Sequence, residues 1–180
     1  MKDCQIKLVL PTKEYSEQLE EYRQKFKNWS SGITGVFIHG CGTLGEKENI
    51  AEWLQECEDY MVGKNLPEGF VPATQFLGVR ESDDKLVGMF QIRHGLTPHL
   101  ERIGGHIGYS VAPDEQGKGY ATMMLILGLE ECKKLGINRV RVTCINKNVA
   151  SAKVIKKCGG EYDGDAEYEG NVFERYWINL

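Results

Sequence analysis

The chain has 180 residues, 41% of them hydrophobic and 27% charged, the balance of one soluble globular domain with enough length for a full core. Its formal net charge of −4 gives no bulk attraction to nucleic acid, and no basic run compensates locally, which argues against a nucleic-acid-binding domain. The longest apolar run, Met123 to Leu129, is far short of the ~20 residues of a membrane span, and Lys2, Asp3, Lys7, Lys13 and Glu14 break up any signal-like start, so a cytoplasmic protein is expected.

Six cysteines, at positions 4, 41, 57, 132, 144 and 158, are scattered without a Cys-x-x-Cys pair, and three sit beside apolar neighbours inside predicted elements. Reduced, buried thiols are expected rather than a disulfide frame or a zinc site, and no metal is required.

In chain order, Ile6 to Leu10 reads as a first strand stopped by Pro11. Thr12 then stands as the cap of a helix whose stripe is Tyr15, Leu19, Tyr22 and Phe26. Glycines and polar residues make Asn28 to Glu48 a long loop, and Asn49 to Val62 regains helical spacing through Ile50, Trp53, Leu54, Cys57 and Met61. Gly63, Pro67 and Pro72 lead into a strand at Gln75–Arg80, a turn at Ser82–Lys85 and a returning strand from Leu86 to Arg93. Polar residues and Pro98 make His94 to Gly104 a loop that feeds a central strand, His106 to Val111.

A helix follows with Ala121, Leu125, Gly128, Cys132 and Leu135 on one stripe, Gly128 allowing close approach to a neighbour and Lys133, Lys134 and Gly136 suiting its end. Arg139 to Cys144 alternates as a strand, Val149 to Lys157 is a helix opened by Asn148, and 161–168 and 173–178 form a last hairpin around Gly170-Asn171.

Between the central strand and the helix lies Gln116-Gly117-Lys118-Gly119-Tyr120-Ala121. Two glycines at a helix start leave backbone N–H groups uncovered, and the first turn's unpaired donors and partial positive charge suit a phosphate or pyrophosphate. A nucleotide-triphosphatase loop would need Ser or Thr after Gly-Lys, and a dinucleotide loop would need glycine where Thr122 stands, so neither fits. The pattern that fits is Gln/Arg-x-x-Gly-x-Gly/Ala, which resembles the acetyl-coenzyme-A motif of the GNAT N-acetyltransferases. The stretch Asn148 to Gly160 resembles that family's second motif, and the combined likeness spans about residues 103 to 163.

The resemblance implies a single α/β (α+β) GNAT domain over residues 1–180. Its central sheet would be mixed and mostly antiparallel, with about seven strands splayed between the fourth and fifth and about four flanking helices. It further implies that pantetheine lies in the splay against main-chain groups of Tyr109, Ser110 and Val111. The pyrophosphate would sit on the N–H groups of Gln116, Gly117, Lys118, Gly119, Tyr120 and Ala121, with Lys118 adding charge unless it is simply a solvated lysine. Asn148 would cap the last helix and touch the cofactor.

The implied chemistry needs a neutral amine, an oxyanion donor and a proton for the departing thiolate. The Val111 N–H is the candidate oxyanion donor. Where many relatives have a tyrosine acid on the last helix, this chain has Val154 and Ile155. That departure, with Asn-x-x-Ser, resembles the ribosomal-protein serine N-acetyltransferase branch and makes Ser151 the candidate acid, against the plainer role of a small residue that satisfies the helix start or touches the pantetheine of the cofactor. His106 and Asp163 are the candidate bases, weighed against a space-filling histidine and an ordinary turn; His94 and His99 are weaker candidates, and a water relay stays open.

The function expected is acetyl transfer from acetyl-CoA to a primary amine, of a small molecule, peptide or protein, by direct attack. The alternative is a non-catalytic acyl-CoA-binding regulatory module. Acetyl-CoA and an amine acceptor are the expected partners, nucleic acid and membrane are not, and a homodimer is left open.

Overall fold

The computed structural model describes residues 5–27 and 38–180. In chain order they form β1 (Ile6–Val9), a 3-10 turn (Lys13–Tyr15), α1 (Ser16–Lys27), α2 (Ile50–Met61), β2 (Ala73–Arg80), β3 (Lys85–Arg93) and α3 (Pro98–Arg102). There follow β4 (Ile107–Val111), a 3-10 turn (Pro113–Glu115), α4 (Tyr120–Lys134), β5 (Arg139–Ile145), α5 (Val149–Lys157), β6 (Glu161–Tyr168) and β7 (Asn171–Asn179).

The strands make two antiparallel sheets, β1-β2-β3-β4 and β5-β7-β6, so the seven expected strands are present and the ladder is interrupted between the fourth and fifth. The sheet is antiparallel in every ladder rather than mixed, because no ladder joins β4 to β5. The two strands touch at one end: His106 N–H donates to Arg141 O at 2.8 Å, Arg141 N–H to His106 Nδ1 at 2.9 Å, and Gly104 N–H to Thr143 Oγ1 at 2.9 Å. Beyond that end they part.

Two cores lie on opposite faces of the first sheet. One joins Phe90, Ile92, Met124, Leu125, Ile155 and Tyr176 beneath α4 and α5. The other joins Leu19, Tyr22, Phe26, Trp53, Leu77 and Met89 beneath α1 and α2. Gly128 of α4 lies against Phe90 so closely that a Cβ there would come within 2.1 Å of the ring, the close approach the sequence predicts. Leu135, by contrast, is not in the core: α4 ends at Lys134 and turns through Gly136, leaving Leu135 42% exposed.

Several local expectations change. Thr12 makes no capping bond, because the chain first takes a 3-10 turn and Ser16 Oγ donates back to Lys13 O at 2.7 Å. The 94–104 loop contains α3, since Pro98 occupies the first turn and Thr97 accepts the Leu100 N–H at 3.2 Å. The final turn lies at Glu169-Gly170, both with positive φ, one residue earlier than the composition suggests. Of the long loop expected at 28–48, residues 28–37 lie outside the described residues and 38–48 are turns and bends.

Candidate functional site

The gap between the sheets is lined by the outer edge of β4. Arg93 N–H donates to His106 O at 2.7 Å and Ala112 N–H to Val87 O at 2.9 Å, at the two ends of the β3–β4 ladder. Antiparallel alternation therefore turns the main chain of Gly108 and Ser110 toward β3, and that of Tyr109 and Val111 toward the gap. The expectation for Ser110 changes accordingly. Its amide and carbonyl belong to the ladder, and its hydroxyl donates to His39 O at 2.6 Å and takes the Tyr22 hydroxyl at 3.1 Å, on the α1 side of the sheet.

After β4 the chain turns through Gly117 and Gly119, with φ of +76° and +89°. These left-handed values favour glycine, and a Cβ at either position would meet nothing within 4 Å, so the space over them is open. No side chain caps α4. Its first N–H groups and the open turn form a cradle that fits a phosphate group. Gln116 reaches back to the gap-facing carbonyl of Val111 at 3.4 Å, at the long end of hydrogen bonding.

Beneath the turn sits a residue that sequence reasoning missed. The side chain of Glu115 is 4% exposed and pairs with Lys85 at 2.6 Å, Lys118 at 2.8 Å and Arg80 at 3.1 Å. Burial pushes its carboxyl up, but hydrogen bonds from Lys118 and Lys85 and the nearby Lys85 and Arg80 charges outweigh that and hold it below the usual range. Arg80 also donates to the Tyr120 hydroxyl at 3.1 Å, so Tyr120 is a buried tie whose N–H, not its side chain, belongs to the cradle. Lys118 is thus held on Glu115 rather than extended over the turn. Lys118 is three residues away, but an acid before a glycine turn carries no sequence signal of two further cations 30 and 35 residues distant.

Across the gap, Asn148 Oδ1 accepts the Ser151 N–H at 3.1 Å, and the Ser151 hydroxyl lies 2.8 Å from that of Tyr109. Tyr109 stacks on Phe90 with ring centroids 6.3 Å apart, and burial drives its phenol well above the ordinary value, so it is neutral. The structure therefore brings together the second motif's serine and a β4 tyrosine 42 residues away.

A family model for the acetyltransferase (GNAT) domain matches residues 17–161. The chain belongs to the GNAT acetyltransferase family. Solved structures with a similar fold include the ribosomal-protein-S5-alanine acetyltransferase of Vibrio fischeri, 17% identical with a TM-score of 0.72 over 97% of this chain and 92% of that one. The ribosomal L7/L12 α-N-protein acetyltransferase RimL, in complex with coenzyme A, is 17% identical with a TM-score of 0.68 over 97% and 94%. The microcin C7 self-immunity acetyltransferase MccE, in complex with acetyl-CoA and AMP, is 20% identical with a TM-score of 0.63 over 97% and 92%. No curated protein sequence matches significantly. As a GNAT domain, the chain is an N-acetyltransferase.

The other candidates of this GNAT site lie elsewhere. His106 is 7% exposed, and its Nδ1 lone pair is occupied by the Arg141 N–H. Burial, with the Arg93 and Arg141 charges, lowers it to about 4, so it is neutral near pH 7, with its remaining proton on Nε2. Asp163 pairs with buried Arg141 at 2.7 Å, and Arg141 lies 3.9 Å from the Trp177 ring centroid. That contact with the Arg141 guanidinium holds the Asp163 carboxyl below the usual range despite the opposing cost of burial. His94 meets the Thr74 hydroxyl at 2.8 Å, and His99 stacks edge-on to Tyr168.

The five described cysteines are free; Cys4 lies outside the described residues. Burial pushes the Cys41 and Cys132 thiols up to about 12 and Cys144 to about 11, and raises Cys57 and Cys158 too, so none is poised as a thiolate nucleophile. Among the described residues no group of His, Cys, Asp and Glu could hold a metal ion, and no helix is long and apolar enough to cross a membrane.

Proposed function

We propose that the chain acetylates a primary amine by direct attack on the thioester, with Ser151 and Tyr109 as the proton-donating pair. The observation that carries this reading is the 2.8 Å hydroxyl–hydroxyl contact beside the gap. Gln116 to Ala121 would receive the pyrophosphate, and the gap-facing main chain of Tyr109 and Val111 the pantetheine. The Val111 N–H would polarise the thioester carbonyl.

As the amine nitrogen bonds to the carbonyl carbon, the carbon–sulfur bond breaks and the thiolate takes the Ser151 proton. The neutral Tyr109 phenol then restores the serine, and solvent restores the phenol. The amine gives its proton to water on the α1 side of β4. His106 is a poor base because its Nδ1 lone pair is already bonded, and Asp163 because Arg141 holds it. The raised cysteine thiols favour direct transfer over an acetyl-cysteine. The chemistry calls for no metal, and a cytoplasmic setting fits free thiols.

Ser151→Ala and Tyr109→Phe are expected each to lower kcat by roughly a hundredfold with acetyl-CoA affinity little changed, and their double variant to lose little more, since both act in one relay. Near wild-type kcat in folded Ser151→Ala would remove the pair from the mechanism. Failure of the wild-type protein to release coenzyme-A thiol with any amine of a broad panel would favour the regulatory module.

A further inference from the structure

We infer that Arg93 recognises an anionic group on the acceptor, so that the preferred amine carries a carboxylate or phosphate. This rests on the acetyltransfer reading and assigns the chemical class of its acceptor. Arg93 ends β3 beside the closed end of the gap, where its own N–H meets His106 O. Its Nη1 donates to the carbonyls of Gly104 and Gly105, each at 3.1 Å. Nη2 lies beneath Gly108, 3.7 Å from where a Cβ would stand, on the sheet face that carries Gln91 and Ser110.

No carboxylate pairs with Arg93 among the described residues. The guanidinium is largely surrounded by protein, and burial lowers its pKa. A charge in that setting normally has a counter-ion. Here its neighbours are instead groups that become cationic: burial chiefly, and the Arg93 charge in addition, lower both His39 and His106. Both histidines are therefore neutral near pH 7 and the guanidinium carries the positive charge of this place, with Arg93 half-buried rather than sealed off from solvent.

Arg93 adjoins a recess with room for about one water molecule, lined by Trp53, Tyr60, Ala73, Gln75 and Gln91, in which Ala73 is the ladder partner of Arg93. The pocket's carboxylate, Glu56, is already held by Lys47 at 2.6 Å and by the Thr43 hydroxyl, so it does not serve Arg93. The Nε and Nη2 donors of Arg93 have no protein partner among the described residues. A planar guanidinium with free donors on an edge matches a carboxylate or phosphate in a two-point contact.

The test is calorimetric titration of the coenzyme-A-bound protein with three matched amines: an ω-amino carboxylate, its carboxamide and the corresponding phosphonate. The carboxylate or phosphonate is expected to bind at least tenfold tighter than the carboxamide, and the better of the two identifies the source of the anion. Arg93→Gln should bring that ratio close to one, and Arg93→Lys should keep part of it. Thermal melts and coenzyme-A affinity identify a variant that has merely lost its fold. Equal binding of carboxamide and anions by the wild type, or an unchanged ratio in folded Arg93→Gln, overturns the inference. Because binding is read directly, a protein that discriminates the anions but acetylates nothing would refute the transfer reading and leave the anion site standing.

Discussion

Two helix starts flank the gap, and they handle the same problem in opposite ways. Each begins with backbone N–H groups that have no partner within the helix. At α5 the side chain of Asn148 takes one of them, the Ser151 N–H, and so fixes the serine's position. At α4 the preceding residue is Gly119, with no side chain to cap the helix and open space above it. One start is closed by its own residue and presents a side chain; the other is open and presents its backbone. A capped start fixes the residues of its first turn, whereas an uncapped one leaves its backbone donors free for a group from outside.

The strongest way to break the contrast is to move both starts together. Gly128→Ala would drive a Cβ to within 2.1 Å of the Phe90 ring, on which Tyr109 stacks. Overpacking there should cost about 3 kcal/mol, read as a lowered melting temperature, and should weaken acetyl-CoA and turnover alike. Loss of one property without the other would show that the starts are not coupled through Phe90.

The closed end of the gap gives the next effect. Because His106 titrates at about 4 in the folded protein and near 6.5 in the open chain, its contribution is fully present above pH 6.5 and is lost as pH falls toward 4. That contribution is on the order of 3 kcal/mol. Denaturant unfolding of wild type and His106→Asn across that window should show a flatter pH dependence in the variant. Parallel curves would mean that the imidazole is not held neutral between the strands.

Smaller effects separate the two starts. Gly119→Val should weaken acetyl-CoA more than tenfold, or over ~1.4 kcal/mol, since it crowds the cradle and forces a branched residue to positive φ. Its melt should also fall by the strain of that backbone, so affinity must be measured on the folded fraction. Asn148→Ala should do the reverse, costing about 1 kcal/mol of stability through the lost cap while changing acetyl-CoA affinity less than Gly119→Val does. Equal losses of affinity in both variants would erase the distinction between an open and a closed start.

The residues nearest the turn were the most legible. Gly117 and Gly119 announced an open helix start, Gly128 a close helix–sheet contact, and Asn148 a cap, because each depends on conformations or contacts reached within a few residues or on one face of a helix. Thr12 misled, since a 3-10 turn intervened where a capping residue and an apolar stripe both pointed to an immediate helix. The short α3 was hidden for the opposite reason: five residues are too few to show helical periodicity.

By itself the sequence determined the order of elements, the open glycine turn before α4 and the capped start of α5, because these are written in local spacing and in glycines whose backbone angles few other residues share. Tertiary structure alone decided which groups meet. It set the Tyr109 phenol against Ser151, gathered Arg80, Lys85 and Lys118 around Glu115, turned the Ser110 main chain into the ladder, and left Arg93 without a carboxylate among the described residues. These pairings depend on strand register and on where β4 parts from β5, and register is fixed by packing across the whole sheet rather than by any single stretch of chain.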